Sequence, residues 1–460
     1  MLPAHRIPSE VTAACRRLQE SGFPAYVVGG AVRDLLRCPD DDTAKDFDLT
    51  TAATPEDVIA VFGRRKVIPT GIAHGTVTVL CDRPGDKPHP IEITTFRGEV
   101  GFSDGRRPDR VEFITDLVED LRRRDFTINA IAWDPILRQL IDPFDGQGDL
   151  KRRLIRAVGD PVARFAEDGL RVMRAVRFSA QLGFVVEEQT RAAFAGALST
   201  LRKVSRERIR DELLKLLSSS RPSQGLRLLC ERSADDPSLD WGPEGNMLQV
   251  VLPEVARVVR DAARLSSLLL AVESLPPEHR LGALLWPMRE WLSGVGAPVA
   301  TQPRAMAELL DERLKLPVSD RQHLLALLTT PLIEDDLAPH LQGAALRRLL
   351  SQHPPSLLDG LLAIQRAYAV AAQQQLSVER LTALMVRVAE ERLTGPALSV
   401  GELSVSGKDL LAELALPPGP IVGELLRELL TLVIEQPALN QRTALLAKAK
   451  ELLSARNFRH

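Results

Sequence analysis

The feature that most constrains the fold is a glycine pair between a short apolar run and a helical pattern. The run Tyr26–Val28 is rich in β-branched and aromatic residues and predicts a buried strand. Gly29 and Gly30 follow it, and Ala31–Leu36 has the pattern of a helix start. Glycine lets a ligand approach the backbone, and the free N–H groups of a helix N-terminus favour an anion such as a triphosphate. Arg33, in the first turn, adds a guanidinium suited to the same anion.

An acidic pair lies shortly downstream. Asp46 and Asp48 flank Phe47, so on a strand both carboxylates face one side and the ring faces the core. Adjacent carboxylates repel each other unless they share a cation, and Mg²⁺ prefers one or two carboxylates plus phosphate oxygens. Two such ions can activate a 3′-hydroxyl and stabilise a pyrophosphate leaving group. Taken singly, the motifs are equally consistent with a plain turn and an exposed edge strand. In this order they favour a nucleotidyltransferase of the DNA polymerase β type.

Length and composition limit the remaining possibilities. The 460 residues exceed one ordinary core and predict two to four domains. The net charge of −2 means that contacts to nucleic acid must come from a local basic face. The scattered cysteines have no metal-ligand spacing and predict reduced thiols. No apolar run is long enough to span a bilayer and no signal-peptide pattern is present, so we expect a cytoplasmic protein without a membrane partner.

Strand signals are confined to the first third of the chain. The β-rich runs after the acidic pair are Lys66–Ile68, Thr76–Cys81, Ile91–Phe96 and Val111–Ile114. The polar, glycine-containing segment Arg97–Arg110 has the composition of a mobile surface loop. From Lys151 onward the pattern is helical and broken by prolines. We expect one long helix over Asp160–Gly183, then helices over Glu187–Leu198 and Ser205–Ser218. The fold class is therefore α+β, with an α/β first domain and an all-α remainder.

A run of arginines precedes an acidic residue within Leu121–Ala130. One arginine of Arg122–Arg124 is suited to a nucleotide phosphate or ribose, and Asp125 is suited to hold another by an ion pair. The alternative is a helix N-cap at Asp125 or Thr127 with solvated arginines.

A second candidate set lies in Glu167–Arg177. Asp168 and Arg171 are three residues apart, so a helix ion pair worth a few tenths of a kcal/mol is the ordinary explanation. The functional alternative is base recognition, because cytosine and adenine share one edge pattern, an amine donor beside a ring-nitrogen acceptor. A carboxylate beside a guanidinium complements that edge, while uracil and guanine would leave both unpaired. Arg174 is placed to reach a triphosphate, whereas Arg177 lies roughly opposite Asp168 and is as consistent with interdomain bracing.

Five motifs resemble, in order and spacing, those of the class II tRNA nucleotidyltransferase and bacterial poly(A) polymerase family. They are Gly29–Asp34, Asp46–Asp48, Arg123–Ala130, Glu167–Arg171 and Ser205–Arg210. The resemblance covers about the first 220 residues, and the helical remainder fits the family only in class. It implies a catalytic head (1–150), a nucleotide-selecting neck (151–220), a helical body (221–340) and a tRNA-binding tail (341–460).

The resemblance also implies roles for single residues. Metal ligands would be Asp46 and Asp48, and the nucleotide site would be lined by Gly29, Gly30, Arg33 and Arg124. The amino-acid template for CTP and ATP would be Asp168 and Arg171, with Arg174 and Arg177 near the nucleotide. Glu92 is equally consistent with a third carboxylate and with a strand-edge salt bridge. The segment Arg97–Arg110 resembles the flexible loop associated with adding the terminal A, which argues against a CC-only enzyme.

The expected function is that of a Mg²⁺-dependent enzyme that adds C, C and A to the 3′ end of tRNA from CTP and ATP, releasing pyrophosphate. The partner would be tRNA. The nearest rival is an A-only enzyme, either a tRNA A-adder or a poly(A) polymerase, because the same motifs serve both. A catalytically inactive RNA-binding protein is a rival of a different class, against which the intact Asp46 and Asp48 pair argues.

Overall fold

A computed structural model describes residues 2–38, 46–83, 85, 87–100, 110–231, 246–293, 303–334 and 337–457. The chain divides into two compact units, the first comprising Met1–Asp261 with Glu312–Lys315 and the second Ala262–Asp311 with Leu316–His460. Of the helices in the described ranges, none is both long and apolar enough to cross a membrane.

The first unit contains a seven-stranded sheet and two small strand pairs. The strands are β1 (Ala25–Val28), β2 (Asp48–Thr51), β3 (Val67–Gly71), β4 (Thr76–Cys81), β5 (His89–Thr95), β6 (Arg97–Val100), β7 (Arg110–Phe113), β8 (Ala132–Asp134), β9 (Gln139–Ile141), β10 (Leu154–Ile155) and β11 (Val185–Val186). The large sheet has the order β3-β4-β5-β2-β1-β8-β9, while β6 pairs with β7 and β10 with β11. Strand β2 runs parallel to β5 and antiparallel to β1.

Helices surround this sheet and continue beyond it. In the first unit they are α1 (Ser9–Glu20), α2 (Gly30–Arg37), α3 (Pro55–Phe62), α4 (Leu117–Arg122), α5 (Gly146–Arg152), α6 (Pro161–Glu167), α7 (Leu170–Leu182), α8 (Glu188–Ala192), α9 (Leu198–Leu201), α10 (Arg206–Leu217), α11 (Pro222–Cys230), α12 (Met247–Val251) and α13 (Pro253–Val258). Helix α3 begins as its sequence predicts, because Thr54 and Asp57 form a reciprocal capping box ahead of Pro55.

In the described part of the second unit, all regular secondary structure is helical. Its helices are α14 (Ala262–Ser274), α15 (Pro277–Leu285), α16 (Pro287–Ser293), α17 (Pro303–Leu314), α18 (Val318–Thr329), α19 (Gly343–Gln352), α20 (Pro355–Ala371), α21 (Gln375–Leu393), α22 (Gly407–Glu413), α23 (Pro420–Glu435) and α24 (Arg442–Asn457). Prolines stand at the start of many of these helices, where the missing N–H costs no hydrogen bond. The sheet-bearing first part and helical remainder confirm the predicted α+β class.

The sheet has a different core on each face, and this difference positions the candidate site. Val27 and Leu49 belong to the large core that includes helices α1 and α3. Val28, their neighbour in sequence, belongs to a smaller core with Leu121 of α4. Because side chains alternate along a strand, Asp48 shares the α4 side of the sheet with Val28, its cross-strand partner. The acidic side chains therefore face the segment that carries the arginines after α4.

The single helix expected over Asp160–Gly183 is wrong. Two helices, α6 and α7, occupy the region, with a break at Asp168 and Gly169. A Cβ at position 169 would overlap the backbone of Thr200 and Leu201, so the chain approaches α9 too closely for any residue but glycine. The helix expected over Glu187–Leu198 is likewise wrong, because two short helices, α8 and α9, lie in this part of the chain.

The expected loop Arg97–Arg110 is partly strand. Its first four residues form β6, and its last residue begins β7, with Arg97 paired to Phe113. Residues 101–109 lie outside the described residues. The first four residues of the segment pair with the strand that the sequence predicted around Val111–Ile114, and the polar composition of the segment did not indicate this pairing.

Candidate active site

The glycine pair forms the turn between β1 and α2 that the sequence predicts. Gly29 is the N-cap of α2 and has φ of +78°, a conformation that favours glycine. A Cβ at this position would lie 3.4 Å from Arg124 Nη1 and 3.7 Å from Asp48 Oδ2. Gly29 therefore lies between a guanidinium and a carboxylate, and its missing side chain leaves the backbone N–H groups at the start of α2 accessible to an anion.

Asp48 begins β2 between two neighbouring strands. Its Cα is paired with that of Val28 on β1 and that of Glu92 on β5. Asp46 is exposed, and Phe47 is buried in the large core, as strand alternation predicts. Burial and the negative charge of Glu92 raise the pKa of the Asp48 carboxyl to about 6; Arg124 opposes this rise, and Asp46 adds to it. The structure thus brings the three carboxylates into one electrostatic group.

A divalent cation fits the chemistry of this group. Within the described ranges, no three His, Cys, Asp or Glu side chains are close enough to form a complete metal site. Magnesium does not need one, because it is commonly held by one or two carboxylates while water and substrate phosphates supply the other oxygens. The repulsion that raises the pKa of Asp48 would be relieved by a positive ion shared with Asp46.

Arg124 faces the same turn from the other side. It follows α4, and its Nη2 lies 3.7 Å from the fully buried Asp120 Oδ2. Its Nε is buried and has no hydrogen-bond partner within the described part of the chain. Burial lowers the pKa of Arg124, and Asp120 acts in the opposite direction. The side chain is 20% exposed and its Nη1 lies at the glycine turn, so this end of the guanidinium is suited to a ligand oxygen.

Arg33 lies at the glycine turn but is bound to protein groups. Its Nη2 would be 3.6 Å from a Cβ at Gly30. Nε and Nη2 donate to the Asp34 carboxylate at 3.0 and 2.9 Å, and Nη1 donates to Asn129 Oδ1 at 2.9 Å. These bonds fix the guanidinium beside the expected phosphate position.

Arg174 is held by Asp125 and not by α7 alone. Its Nε donates to Asp125 Oδ2 at 2.7 Å, and Asn129 Nδ2 donates to Asp125 Oδ1 at 3.1 Å. The backbone N–H of Phe126 donates to the same Oδ1 at 2.8 Å. Burial raises the pKa of Asp125, but Arg174 and these hydrogen bonds outweigh it and lower the pKa to about 2. The sequence led us to expect the partner of Asp125 within the run Arg122–Arg124, but the structure supplies it from Arg174, 49 residues away in sequence.

Asp168 lies at the helix break and has partners on two elements. One carboxylate oxygen accepts from the backbone N–H of Leu170 at 3.0 Å, and the other accepts from Arg208 Nη2 at 2.7 Å. Ser205 is the N-cap residue of α10, but its side chain makes no capping hydrogen bond. Arg208, on the first turn of α10, braces the helix break through its bond to Asp168.

Arg171, three residues later, points to a different set of groups. It forms an ion pair with Glu167, and it donates to the carbonyl oxygens of Arg164 at 2.9 Å and Arg123 at 3.0 Å. The ion pair with Asp168 that ordinary helix spacing suggested is replaced by these contacts. Three of the five N–H donors of Arg171 are used in this way, so two remain for a ligand.

Arg177 pairs with helix α10. Its Nε donates to Glu212 Oε2 at 2.5 Å, and its Nη1 donates to Gln181 Oε1 at 2.8 Å. Burial lowers the pKa of Arg177, and Glu212 opposes this change. The contacts are those of a brace between α7 and α10, two helices of the same unit, and not of the interdomain brace that the sequence left open for this residue.

Comparisons with known proteins identify the family. Three family models match: "Poly A polymerase head domain" over residues 25–156, "Probable RNA and SrmB- binding site of polymerase A" over 183–235, and "tRNA nucleotidyltransferase domain 2" over 359–449. The CCA-adding enzyme of Leuconostoc citreum is 35% identical over 445 residues, which cover 95% of this chain and 94% of that protein. The chain belongs to the CCA-adding enzyme family. The expected family resemblance is therefore confirmed, and it extends well beyond the five motifs.

Two further CCA-adding enzymes show how the similarity is distributed. The enzyme of Lactobacillus helveticus is 45% identical over 261 residues, 57% of this chain. That match spans 62% of the relative's length, less than two thirds of it. The crystal structure of the Bacillus stearothermophilus CCA-adding enzyme in complex with CTP is 29% identical, with a TM-score of 0.66, and the match covers 98% of both chains. The CCA-adding enzyme fold therefore extends over nearly the whole chain.

Several contact residues in this family member were not expected from its sequence. They are Asp34, Asn129, Glu167 and Glu212, which hold the arginines of the site. The four-residue spacing of Glu167 and Arg171 is a local signal that indicates their pairing. The bonds from Arg33 to Asn129 and from Arg177 to Glu212 join residues that are 96 and 35 positions apart, so no local spacing indicates them.

Proposed function

We propose that this protein is a Mg²⁺-dependent tRNA nucleotidyltransferase that adds C, C and A to tRNA 3′ ends without a nucleic-acid template. The observation that carries the proposal is the arrangement around Gly29, with Asp48 on one side and Arg124 on the other. It combines an acidic group suited to cations with donors suited to a triphosphate. Membership of the CCA-adding enzyme family supports CTP, ATP and tRNA as the substrates.

The residues of the head would position the triphosphate for in-line attack. The tRNA 3′-oxygen bonds to the α-phosphorus, the bond from that phosphorus to the bridging oxygen breaks, and pyrophosphate leaves. Asp46 and Asp48 would hold Mg²⁺, which supplies activation of the hydroxyl and neutralisation of the developing negative charge. Gly29 and Gly30 admit the phosphates to the N-terminus of α2, and Arg124, whose Nη1 lies at the glycine turn, donates to a phosphate oxygen.

Asp168 and Arg171 would select the base. The Asp168 carboxylate accepts from Leu170 and Arg208 and retains lone pairs that can accept the exocyclic amine of cytosine or adenine. The two unused donors of Arg171 are suited to the adjacent ring nitrogen. Uracil and guanine present donor and acceptor in the opposite order. They would leave Asp168 and Arg171 unpaired and would therefore bind much more weakly.

The helical remainder would bind tRNA. We propose the head, neck, body and tail as residues 1–150, 151–220, 221–340 and 341–460, since the match to a tRNA nucleotidyltransferase domain falls at 359–449, within the tail. Binding would depend mainly on phosphate contacts and RNA shape. Action on tRNA would place the protein in the cytoplasm, which fractionation of cells that produce it would test.

A single-nucleotide incorporation assay tests the proposal. A tRNA transcript that ends before CCA is incubated with each nucleoside triphosphate alone and in order. We expect CTP to add two residues, ATP then to add one, and UTP and GTP to add almost none. Long A runs on unrelated RNA would identify an A-only enzyme instead. Incorporation that is unchanged in Asp48→Ala would contradict the catalytic assignment, and no incorporation by the wild type would indicate an inactive RNA-binding protein.

A further inference from the structure

Phe178 on α7 is surrounded by three arginines. The guanidinium carbons of Arg177, Arg33 and Arg174 lie 3.9, 5.1 and 5.4 Å from the centre of its ring. Arg33 comes from the glycine helix α2, whereas the other two belong to α7. The ring is 4% exposed. Cations within about 6 Å of an aromatic centre are attracted by its quadrupole, and the attraction increases when water is excluded.

Each of these arginines has its own carboxylate. The pairs are Arg33 with Asp34, Arg174 with Asp125 and Arg177 with Glu212. Charge neutrality explains how three guanidinium groups gather at one ring, since their mutual repulsion is compensated locally. The carboxylates do not explain why the arginines converge, because they belong to three different elements. The aromatic ring is the contact that all three arginines share.

The orientation of the ring is itself fixed. Phe126 packs edge-on against Phe178, with ring centres 5.9 Å apart and planes at 87°. Phe126 directly follows Asp125, so one short segment holds both the ring and Arg174. A T-shaped contact of this kind stabilises the ring pair beyond simple burial and defines the plane that the arginines meet.

The arginines retain donors that point beyond this cluster. A guanidinium has five N–H donors, and protein groups take three from Arg33, two from Arg174 and two from Arg177. The Arg33 Nη2 lies next to the glycine turn, and the Arg174 side chain is 34% exposed. Two of the three guanidinium groups are therefore placed where a phosphate can reach them.

We infer that Phe178 is a positioning residue for the triphosphate. Its π face holds the guanidinium groups of Arg33 and Arg174 at the spacing that the phosphates require, and it links the glycine turn to the base-selecting helix α7. The inference rests on the proposed function in one respect, that a triphosphate binds at the glycine turn. Phe178 itself touches no substrate, so it acts only through the arginines.

Fluorinated phenylalanines test this role at nearly constant shape. Replacing Phe178 in the full chain with 4-fluoro-, 3,5-difluoro- and 3,4,5-trifluorophenylalanine weakens the quadrupole in steps. We expect the Kd for inorganic triphosphate and the KM for CTP to rise in the same steps, about fivefold in total, with kcat changed less than twofold. Phe178→Leu, which keeps apolar bulk without a π face, should reach or exceed the last step.

Phe62 is the matched control, because the guanidinium of Arg17 lies 5.2 Å from its ring centre on another part of the first unit. The same fluorinations there should leave triphosphate binding unchanged. A flat Phe178 series, an equal effect at Phe62, or no calorimetric binding of inorganic triphosphate to the wild type would each overturn the inference. The proposed function fails separately if the fluorinated Phe178 variants bind triphosphate progressively more weakly but the wild type incorporates no nucleotide.

Discussion

Asp48 and Asp125 lie in the same unit of the molecule and have opposite electrostatic surroundings. The pKa of Asp48 is raised to about 6, chiefly by burial and by Glu92. Asp125 is also buried, yet Arg174 and its hydrogen bonds lower its pKa to about 2. The acidic group around Asp48 thus carries negative charge that is not neutralised locally, whereas the charge of Asp125 is neutralised by its pair with Arg174 of helix α7.

This difference indicates that the two carboxylates have different roles. A site with excess negative charge is suited to bind a cation and to change when the cation arrives. A site whose carboxylates and guanidinium groups are already paired is suited to hold a rigid shape. Rigidity is what a protein surface needs if it is to choose a base without a complementary strand, because selection depends on donors and acceptors that cannot adapt to the wrong nucleotide.

The largest expected effect is the loss of catalysis on removing the charge of Asp48. Asp48→Asn should lower nucleotide incorporation by about 10³-fold or more, since the variant keeps the shape but loses a metal ligand. Single-turnover incorporation of CMP into a tRNA that lacks CCA measures it. Asp57→Asn, which alters the capping box of α3, is the control and should lower stability by about 1 kcal/mol with activity retained. Equal losses in the two variants would indicate that the Asp48 change only disturbs the fold.

The next effect should be on stability and should arise at the contact between Asp125 and helix α7. Asp125→Asn leaves the guanidinium of Arg174 without its counter-charge and should reduce the free energy of unfolding by about 3 kcal/mol. Urea unfolding at pH 7 measures this change. Because the folded pKa of Asp125 is depressed, its contribution is complete above about pH 4 and is lost as the pH falls toward 2. A variant as stable as the wild type at pH 7 would show that this pair is not structurally important.

Base discrimination should change more than affinity when Arg171 is removed. Arg171→Ala should lower the preference for CTP over UTP by about 10- to 50-fold, because the wrong base no longer leaves a buried donor unpaired. The ratio of kcat/KM values for the four nucleotides measures this preference. Arg202→Ala, at an exposed position between α9 and α10, is the control and should leave the ratio unchanged. Equal loss for all four nucleotides would exclude a base-reading role.

The smallest expected effect is on stability in the absence of metal. The Asp48→Asn variant, although inactive, should be more stable than the wild type. When the pKa of a carboxyl is raised in the folded state, the folded protein becomes less stable as the pH rises from about 4 to 6. The variant lacks this charge, so at pH 7.5 its free energy of unfolding should exceed that of the wild type. The difference should vanish near pH 4. A variant that is less stable at pH 7.5 would mean that the head tolerates the charge of Asp48 without a cation.

The order of elements around the site could be predicted from local sequence. Strand β1, the turn and helix α2 were predicted by a β-branched run, two glycines and an apolar helix start. The burial of Phe47 was predicted by the alternation of side chains around it. These features depend on neighbours in sequence. The family resemblance supplied roles that local patterns alone left open between function and ordinary structure.

The partners of the charged side chains could not be predicted in this way. Asp168 is bound by Arg208, 40 residues later, and the helix break between Asp168 and Arg171 exists because Gly169 packs against the backbone of α9. Helical periodicity treats Asp168 and Arg171 as neighbours on one face because it contains no information about that approach. Tertiary packing decided both the break and the choice of partner.

Carboxyl titration of Asp48 and Asp125 tests the difference between the two regions most directly. The wild-type protein is labelled with ¹³C at its aspartate carboxyl carbons and titrated by NMR with and without Mg²⁺ at constant ionic strength. The Asp48→Asn and Asp125→Asn variants assign the two carboxyl signals. We expect Mg²⁺ to lower the pKa of Asp48 by at least one unit and to leave the low pKa of Asp125 unchanged. An Asp48 carboxyl that does not respond to Mg²⁺, or an equal shift of both groups, would show that Asp48 does not bind the cation as proposed.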